Sequence, residues 1–132
     1  MSDTRTAVKD QELCSKVKKF YYIYYEAMDS RRDKISFLYT SNETPSLTWN
    51  GHHVDGIEAI RAFIEQLPKT EHSITCVNPQ SIDVPGSEGW AIVTAMGTVT
   101  IGGQVHGFTH NFVLVPENNA FHILDEQYRF ID

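Results

Sequence analysis

Three long apolar segments near the end of the chain constrain its fold more than any other feature. They read WAIVTAMGTVTI from residue 90, QVHGFTHNFVLV from residue 104 and AFHILDEQYRFI from residue 120. Turn residues at Gly102-Gly103 and Asn118-Asn119 separate them, so they predict three strands joined by hairpins. Apolar residues occupy both the odd- and the even-numbered positions of these segments. A sheet with one face exposed to water instead alternates apolar and polar side chains along each strand. We therefore expect both faces of the sheet to be covered.

The first half of the chain predicts the helices that cover one of those faces. Apolar residues at helical spacing predict a first helix from about Val8 to Met28. A short second helix follows Ser30, and a third helix starts after Asp55 and ends before Pro68. The helices, followed by a run of strands, indicate an α+β protein with its helices packed on one side of a curved sheet.

Two further segments predict additional strands. Residues 47–50 form a short strand that Gly51 stops. Residues 71–84 predict an edge strand, or two short strands with a kink, because Pro79 cannot donate a ladder hydrogen bond. At 132 residues the chain is long enough for one core. We expect a flexible N-terminus over residues 1–10 and a single domain over residues 11–132.

The charge distribution argues against a nucleic-acid surface on the predicted sheet. Residues 1–40 hold eight Lys and Arg against six acids, a net charge of +2, and residues 41–132 hold three against eleven, a net charge of −8. Binding to phosphate groups needs clustered cations, so we expect no direct nucleic-acid contact. No apolar run approaches the ~20 residues that span a bilayer, and the polar N-terminus lacks the apolar core of a signal peptide. We expect a nuclear or cytosolic protein with no membrane contact.

Several residue clusters, taken in order, resemble the nuclear transport factor 2-related export proteins, the small subunit of the heterodimeric mRNA export receptor. No single cluster is diagnostic, and the ordered set runs from about residue 10 to the C-terminus. The clusters are Phe20 to Tyr25, Met28-Asp29 with Arg31-Arg32, Leu38-Tyr39, Trp49-Asn50-Gly51, Leu67-Pro68, Asn111-Phe112 and Gln127 to Phe130.

This resemblance implies a cone-shaped nuclear transport factor 2-like fold, with three helices packed on a strongly curved, mainly antiparallel sheet. It implies a non-catalytic subunit, without a cofactor, that pairs sheet-to-sheet with the similar domain of a large mRNA export receptor. Such a complex would bind Phe-Gly repeats of the nuclear pore and shuttle between nucleus and cytoplasm. A homodimeric carrier that imports a small GTPase in its GDP form is the alternative within the same fold.

Arg129 is the most informative residue of the third predicted strand, because no other Lys or Arg follows Lys69. If no bulge intervenes, the odd-numbered positions from 121 to 129 share the partner face. A planar guanidinium can bind a carboxylate with two hydrogen bonds, so we predict that a partner carboxylate pairs with Arg129. An in-chain bond to Asp125 or Glu126 is the alternative. The predicted partner-binding residues are Arg129, Gln127, Asp125, Ile123, Phe112, His110 and Phe108.

Enzymes are the remaining alternative, because the same cone hosts small-molecule isomerases and dehydratases. His110 with Asp125 on the next strand is the best candidate dyad. A hydrogen-bonded structural histidine is the favoured interpretation, since the tyrosines at positions 21, 22, 24, 25, 39 and 128 are expected to fill the cone. Cys14 and Cys76 lack metal-ligand spacing and are expected to be reduced thiols. We therefore expect no catalytic site and no metal.

Overall fold

The computed structural model describes residues 2–82 and 84–131, with the backbone alone over residues 2–9. Met1 and Asp132, at the ends of the two predicted segments 1–10 and 11–132, lie outside the described residues. The elements in chain order are α1 (Ser2–Ser30), a 3-10 helix (Arg32–Leu38), β1 (Ser46–Trp49), β2 (His52–Asp55), α2 (Ile57–Gln66), β3 (Thr70–Ile82), β4 (Trp90–Ile101), β5 (Gln104–Glu117) and β6 (Ala120–Phe130).

The six strands form one curved sheet in the order β2-β1-β6-β5-β4-β3. Neighbouring strands are antiparallel except for β1, which pairs with β6 in parallel. The helices lie on one face, where α1 packs against β3 and β6 and α2 packs against β1 and β2. This arrangement confirms the expected α+β class, with three helices on a mainly antiparallel sheet. No helix within the described ranges is both long and apolar enough to cross a membrane.

Three local details differ from the sequence-based expectation or decide between its alternatives. Gly51 does more than end β1. Asn50 and Gly51 have φ values of 47° and 86° and turn the chain into β2, a strand that was not predicted from the sequence. Two successive residues with positive φ suit a tight hairpin, because their twist matches that of the strands. Residues 70–82 form one edge strand, in which Pro79 is tolerated, with an irregularity between Ile74 and Cys76. The helix α1 begins at Ser2, earlier than Val8.

The core lies between the helices and the inner face of the sheet. Aromatic rings dominate its centre: the rings of Trp49 and Tyr128 stack with their centroids 3.9 Å apart, and Phe20 meets Phe112 edge-on at 5.3 Å. Offset and edge-to-face pairs of this kind add to the free energy gained from burial. The even-numbered residues in the central part of β5 face this core. They are Phe108, His110, Phe112 and Leu114, each at most 1% exposed.

A β-bulge at Leu124 controls which residues of β6 face the helices. Val113 pairs with Asp125 while Leu114 pairs with Ile123, so Leu124 is the extra residue. An extra residue in a strand reverses the alternation of side chains beyond it. Ile123 and Glu126, on opposite parities, therefore both point into the core and are both 0% exposed.

The bulge and the parity of β5 correct four of the predicted partner-binding residues. Ile123, Phe112, His110 and Phe108 are buried against the chain's own helices and aromatic core. A side chain that is fully covered within its own chain offers no surface to a partner. The prediction that these four lie on the partner face is therefore wrong, whereas Asp125, Gln127 and Arg129 lie on the side of the sheet that faces away from the helices.

Candidate functional site: the open face of the sheet

The face of the sheet turned away from the helices is the candidate site, and we call it the open face. Strand pairing aligns its central residues in three rows across β4, β5 and β6. The rows are Ile92, Val113 and Asp125; Thr94, Asn111 and Gln127; and Met96, Thr109 and Arg129.

The open face is mixed rather than apolar, which corrects the expectation from the sequence. Ile92 and Met96 are 40% and 39% exposed, but the row between them is polar. The hydroxyl of Thr94 donates to the amide oxygen of Asn111 at 2.8 Å, and Gln127 lies beside Asn111 on β6. The large aromatic residues of these strands lie mostly on the other side. An apolar patch with polar groups at its centre is suited to a specific partner, because each polar group must be matched when water leaves.

Arg129 is exposed on this face and forms no ion pair or side-chain hydrogen bond with any residue that the structure describes. Neither of the two in-chain acceptors considered from the sequence pairs with Arg129. Asp125 accepts a hydrogen bond from the hydroxyl of Ser46, and Glu126 points into the core. An unpaired guanidinium is stable in water, but once covered it needs an acceptor from the covering molecule.

Inside the cone, Glu126 is the centre of a buried polar network. Its carboxylate accepts hydrogen bonds from the hydroxyls of Tyr24, at 2.8 Å, and of Tyr39. The Nε2 of His110 lies 2.6 Å from the same carboxylate, so Nε2 carries the proton there, and Nδ1 accepts from the hydroxyl of Tyr25 at 2.8 Å. Burial lowers the pKa of His110, although the adjacent Glu126 opposes this shift. Burial likewise raises the pKa of Tyr24 and of Tyr39 well above the usual value.

A second polar chain ties the end of α1 to the sheet. Asp29 accepts hydrogen bonds from the hydroxyl of Thr70 and from both the backbone and the ring of His72, at 2.7–2.8 Å. The other ring nitrogen of His72 lies 2.8 Å from the hydroxyl of Tyr128. Burial alone would raise the pKa of Asp29, but the hydrogen bonds from His72 and Thr70 outweigh it and lower that pKa. The contacts fix α1 against β3 and β6.

These groups do not form the dyad considered from the sequence. Asp125 lies on the open face whereas His110 faces the core, so His110 pairs with Glu126 instead. Both side chains have 0% exposure, which leaves no water-sized space beside either of them. A general acid or base must come within hydrogen-bonding distance of its substrate, and nothing can reach this pair without rearrangement of the core. The geometry is that of a structural network in which His110 is bonded at both ring nitrogens.

Sequence reasoning had treated the tyrosines as bulk and had missed Glu126 as their shared acceptor. One signal was present: Tyr rather than Phe occupies the core-facing positions 24, 25 and 39, and a buried tyrosine hydroxyl requires a partner. A second signal was the position of Glu126, because the even-numbered residues of β6 alternate with the predicted partner face and so point to the helices.

Comparisons with known proteins agree with this geometry. Residues 16–130 match the family model of the nuclear transport factor 2 (NTF2) domain. An NTF2-related export protein of Caenorhabditis elegans is 34% identical over 128 residues, covering 94% of this chain and 92% of that protein. NTF2-related export protein 2 of Homo sapiens is 33% identical, covering 92% of this chain and 89% of that protein. The solved structure of nuclear transport factor 2 from Cryptosporidium parvum is 26% identical, with a TM-score of 0.78, covering 91% of this chain and 95% of that one.

Proposed function

This chain belongs to the nuclear transport factor 2 domain family, and we propose that it is the non-catalytic small subunit of a heterodimeric mRNA export receptor. The observation that carries the proposal is the 34% identity to an NTF2-related export protein across 94% of the chain. The identity to a solved nuclear transport factor 2 is lower, at 26%, which favours the export role over the import carrier. The closed Glu126 network supports a role without catalysis.

The open face is the proposed docking surface for the similar domain of the large receptor subunit. Covering it would bury Ile92 and Met96 and would place Arg129 inside the interface. A carboxylate of the partner would then pair with Arg129, while Gln127 and Asp125 exchange hydrogen bonds beside it. Two copies of this chain would be matched less well, because Asp125 is the only carboxylate in the three central rows and already accepts from Ser46. A heterodimer therefore fits this face better than a self-dimer.

In the cell, the heterodimer would bind Phe-Gly repeats of the nuclear pore and move between nucleus and cytoplasm. The contribution of this chain would be to seal and stabilise the receptor domain. Its negative charge over residues 41–132 fits a subunit that leaves RNA contacts to other components.

The proposal is tested by mixing the chain with the similar domain of the large mRNA export receptor and measuring mass by light scattering and affinity by calorimetry. We expect a one-to-one complex. Arg129→Ala should weaken it by at least about 30-fold, because truncating one partner of a buried charge pair costs about 2–5 kcal/mol. Arg31→Ala is the matched control, since it makes the same change at an exposed position on the helix side. Circular dichroism should show that both variants stay folded.

Three outcomes would contradict the proposal. If the wild-type chain does not bind the receptor domain, the proposed heterodimer is wrong. If the Arg129→Ala variant binds the receptor domain as tightly as the wild type does, the proposed ion pair is wrong. A stable homodimer that binds a small GTPase in its GDP form would instead support the import carrier.

A further inference from the structure

A small apolar pocket opens on the helix side of the molecule, away from the open face. It lies between α1, the 3-10 helix and the turn that joins β5 to β6, and its volume is about 130 Å³. Its apolar lining includes Phe20 and Ile23 of α1, Leu38 of the 3-10 helix and Phe121 of β6. Ile23 is 46% exposed, so apolar surface continues from the pocket to the outside of α1.

Two lysines flank this apolar lining without a counter-charge. Lys16 and Lys19 line the pocket, both are exposed, and neither forms an ion pair with any residue in the described ranges. No carboxylate occurs among the described residues that line the pocket. This is a local exception in a chain whose net charge is −6.

Helical geometry explains why these particular residues converge. Positions 16, 19, 20 and 23 have the spacing of one face of α1, since residues three and four apart are neighbours on a helix. Lys18 lies between the two lysines in sequence but points elsewhere, with its ammonium group 6.0 Å from the ring centre of Tyr22. Exposed lysines are commonly just a solvated helix face, but here two of them border a pocket with apolar walls.

We propose that this pocket binds an acidic peptide segment of a partner protein, with one large apolar side chain of the segment inserted between α1 and Phe121. The volume suits a single such side chain, because an apolar cavity of about 150 Å³ is large enough to hold benzene. Acidic residues on either side of the inserted side chain would pair with Lys16 and Lys19. The pocket lies on the helix side of the sheet, so it stays accessible when a partner covers the open face.

The test uses the fluorescein-labelled peptide EDSFSDE and three counterparts that each lack one feature. EDSASDE lacks the apolar side chain, NQSFSQN lacks the charge and KKSFSKK reverses it. By fluorescence anisotropy, we expect EDSFSDE to bind at least about tenfold more tightly than EDSASDE, since burial of one large side chain is worth about that factor. EDSFSDE should also bind more tightly than NQSFSQN and KKSFSKK, which cannot form ion pairs with Lys16 and Lys19. Added salt should weaken the binding of EDSFSDE, because exposed charges are screened.

Two neighbouring charge reversals supply the matched comparison. Lys19→Glu should weaken EDSFSDE binding at least about fivefold, whereas Lys18→Glu, an identical change of charge, should leave it almost unchanged. Ile23→Ser should also weaken binding, and nuclear magnetic resonance shifts on addition of the wild-type ligand should centre on Leu38 and Phe121. All three variants change exposed residues, and circular dichroism checks their fold.

Several results would overturn the inference. They are equal loss of binding in Lys18→Glu and Lys19→Glu, equal binding of EDSASDE or NQSFSQN, and absence of EDSFSDE binding at millimolar concentration. A fourth is self-association of the wild-type chain that Ile23→Ser abolishes, because the pocket would then be filled by a second copy. None of these outcomes depends on the large export receptor.

Discussion

Replacing Glu126 with Leu tests the buried network most directly. The change removes the acceptor for three groups at once: the hydroxyls of Tyr24 and Tyr39 and the Nε2 proton of His110. All three groups are buried, so water cannot replace the lost acceptor without opening the core. Each unsatisfied group costs about 1–3 kcal/mol.

The removal of a desolvated carboxylate offsets part of that cost. Three unsatisfied donors at that cost, less the relieved desolvation of the carboxylate, leave a net loss of about 3–5 kcal/mol. We expect Glu126→Leu to lower the free energy of unfolding by about that amount, out of the 5–15 kcal/mol usual for a domain. Glu126→Gln preserves the shape and one acceptor oxygen, so its cost should be smaller, about 1–2 kcal/mol.

The assay is urea denaturation followed by circular dichroism and by tryptophan fluorescence, to which Trp49 contributes from its position stacked on Tyr128 in the core. Asp125→Asn is the matched control, because the adjacent residue lies on the open face and Asn can still accept from Ser46. We expect that variant to stay within about 0.5 kcal/mol of the wild type. A Glu126→Leu variant as stable as the wild type would refute the reasoning about the network. An equal loss from Asp125→Asn would refute the placement of Asp125 on the open face.

Two further perturbations test the buried histidine and the end of α2. Burial lowers the pKa of His110 below its ordinary 6.5. As the pH falls, the imidazole is therefore protonated in the unfolded chain before it is protonated in the folded one. The free energy of unfolding should accordingly decrease below about pH 6.5. The slope should reach up to about 1.4 kcal/mol per pH unit, and His110→Gln should flatten it in urea titrations between pH 8 and pH 5.5. Arg32 donates to three carbonyls at the C-terminal end of α2, at 2.5–3.2 Å, so Arg32→Met should cost about 2–3 kcal/mol. Arg31→Met, at the exposed neighbouring position, should lower the free energy of unfolding by less than about 0.5 kcal/mol. An equal loss of stability in both variants would show that the hydrogen bonds of Arg32 are not the cause of the Arg32→Met effect.

The long strands were predictable because their signals are local. Each of the segments that begin at Trp90, Gln104 and Ala120 is rich in β-branched and aromatic residues, and paired Gly or Asn residues mark the turns between them. The end of α2 was similarly marked by Pro68. The hairpin partner β2 was missed, because three of its four residues are polar and exposed, and they become a strand only through pairing with β1.

The candidate site was predicted in part. Arg129, Gln127 and Asp125 were assigned to the outer surface and lie there. Ile123 was assigned with them and lies inside, because the assignment assumed an uninterrupted alternation. The pocket beside Lys16 and Lys19 had no signal of its own, since its walls come from α1, the 3-10 helix and β6, which are far apart in the chain.

The amino-acid sequence by itself determined the order of the helices and of every strand except β2, the α+β class and the family. Propensity, turn residues and short residue clusters are all properties of neighbouring positions. The tertiary structure alone decided which side chains of each strand face the helices. The alternation of a strand has a period of two residues, so one extra residue at Leu124 reverses it. That residue is accommodated by pairing between β5 and β6, and such pairing exists only once the strands have met.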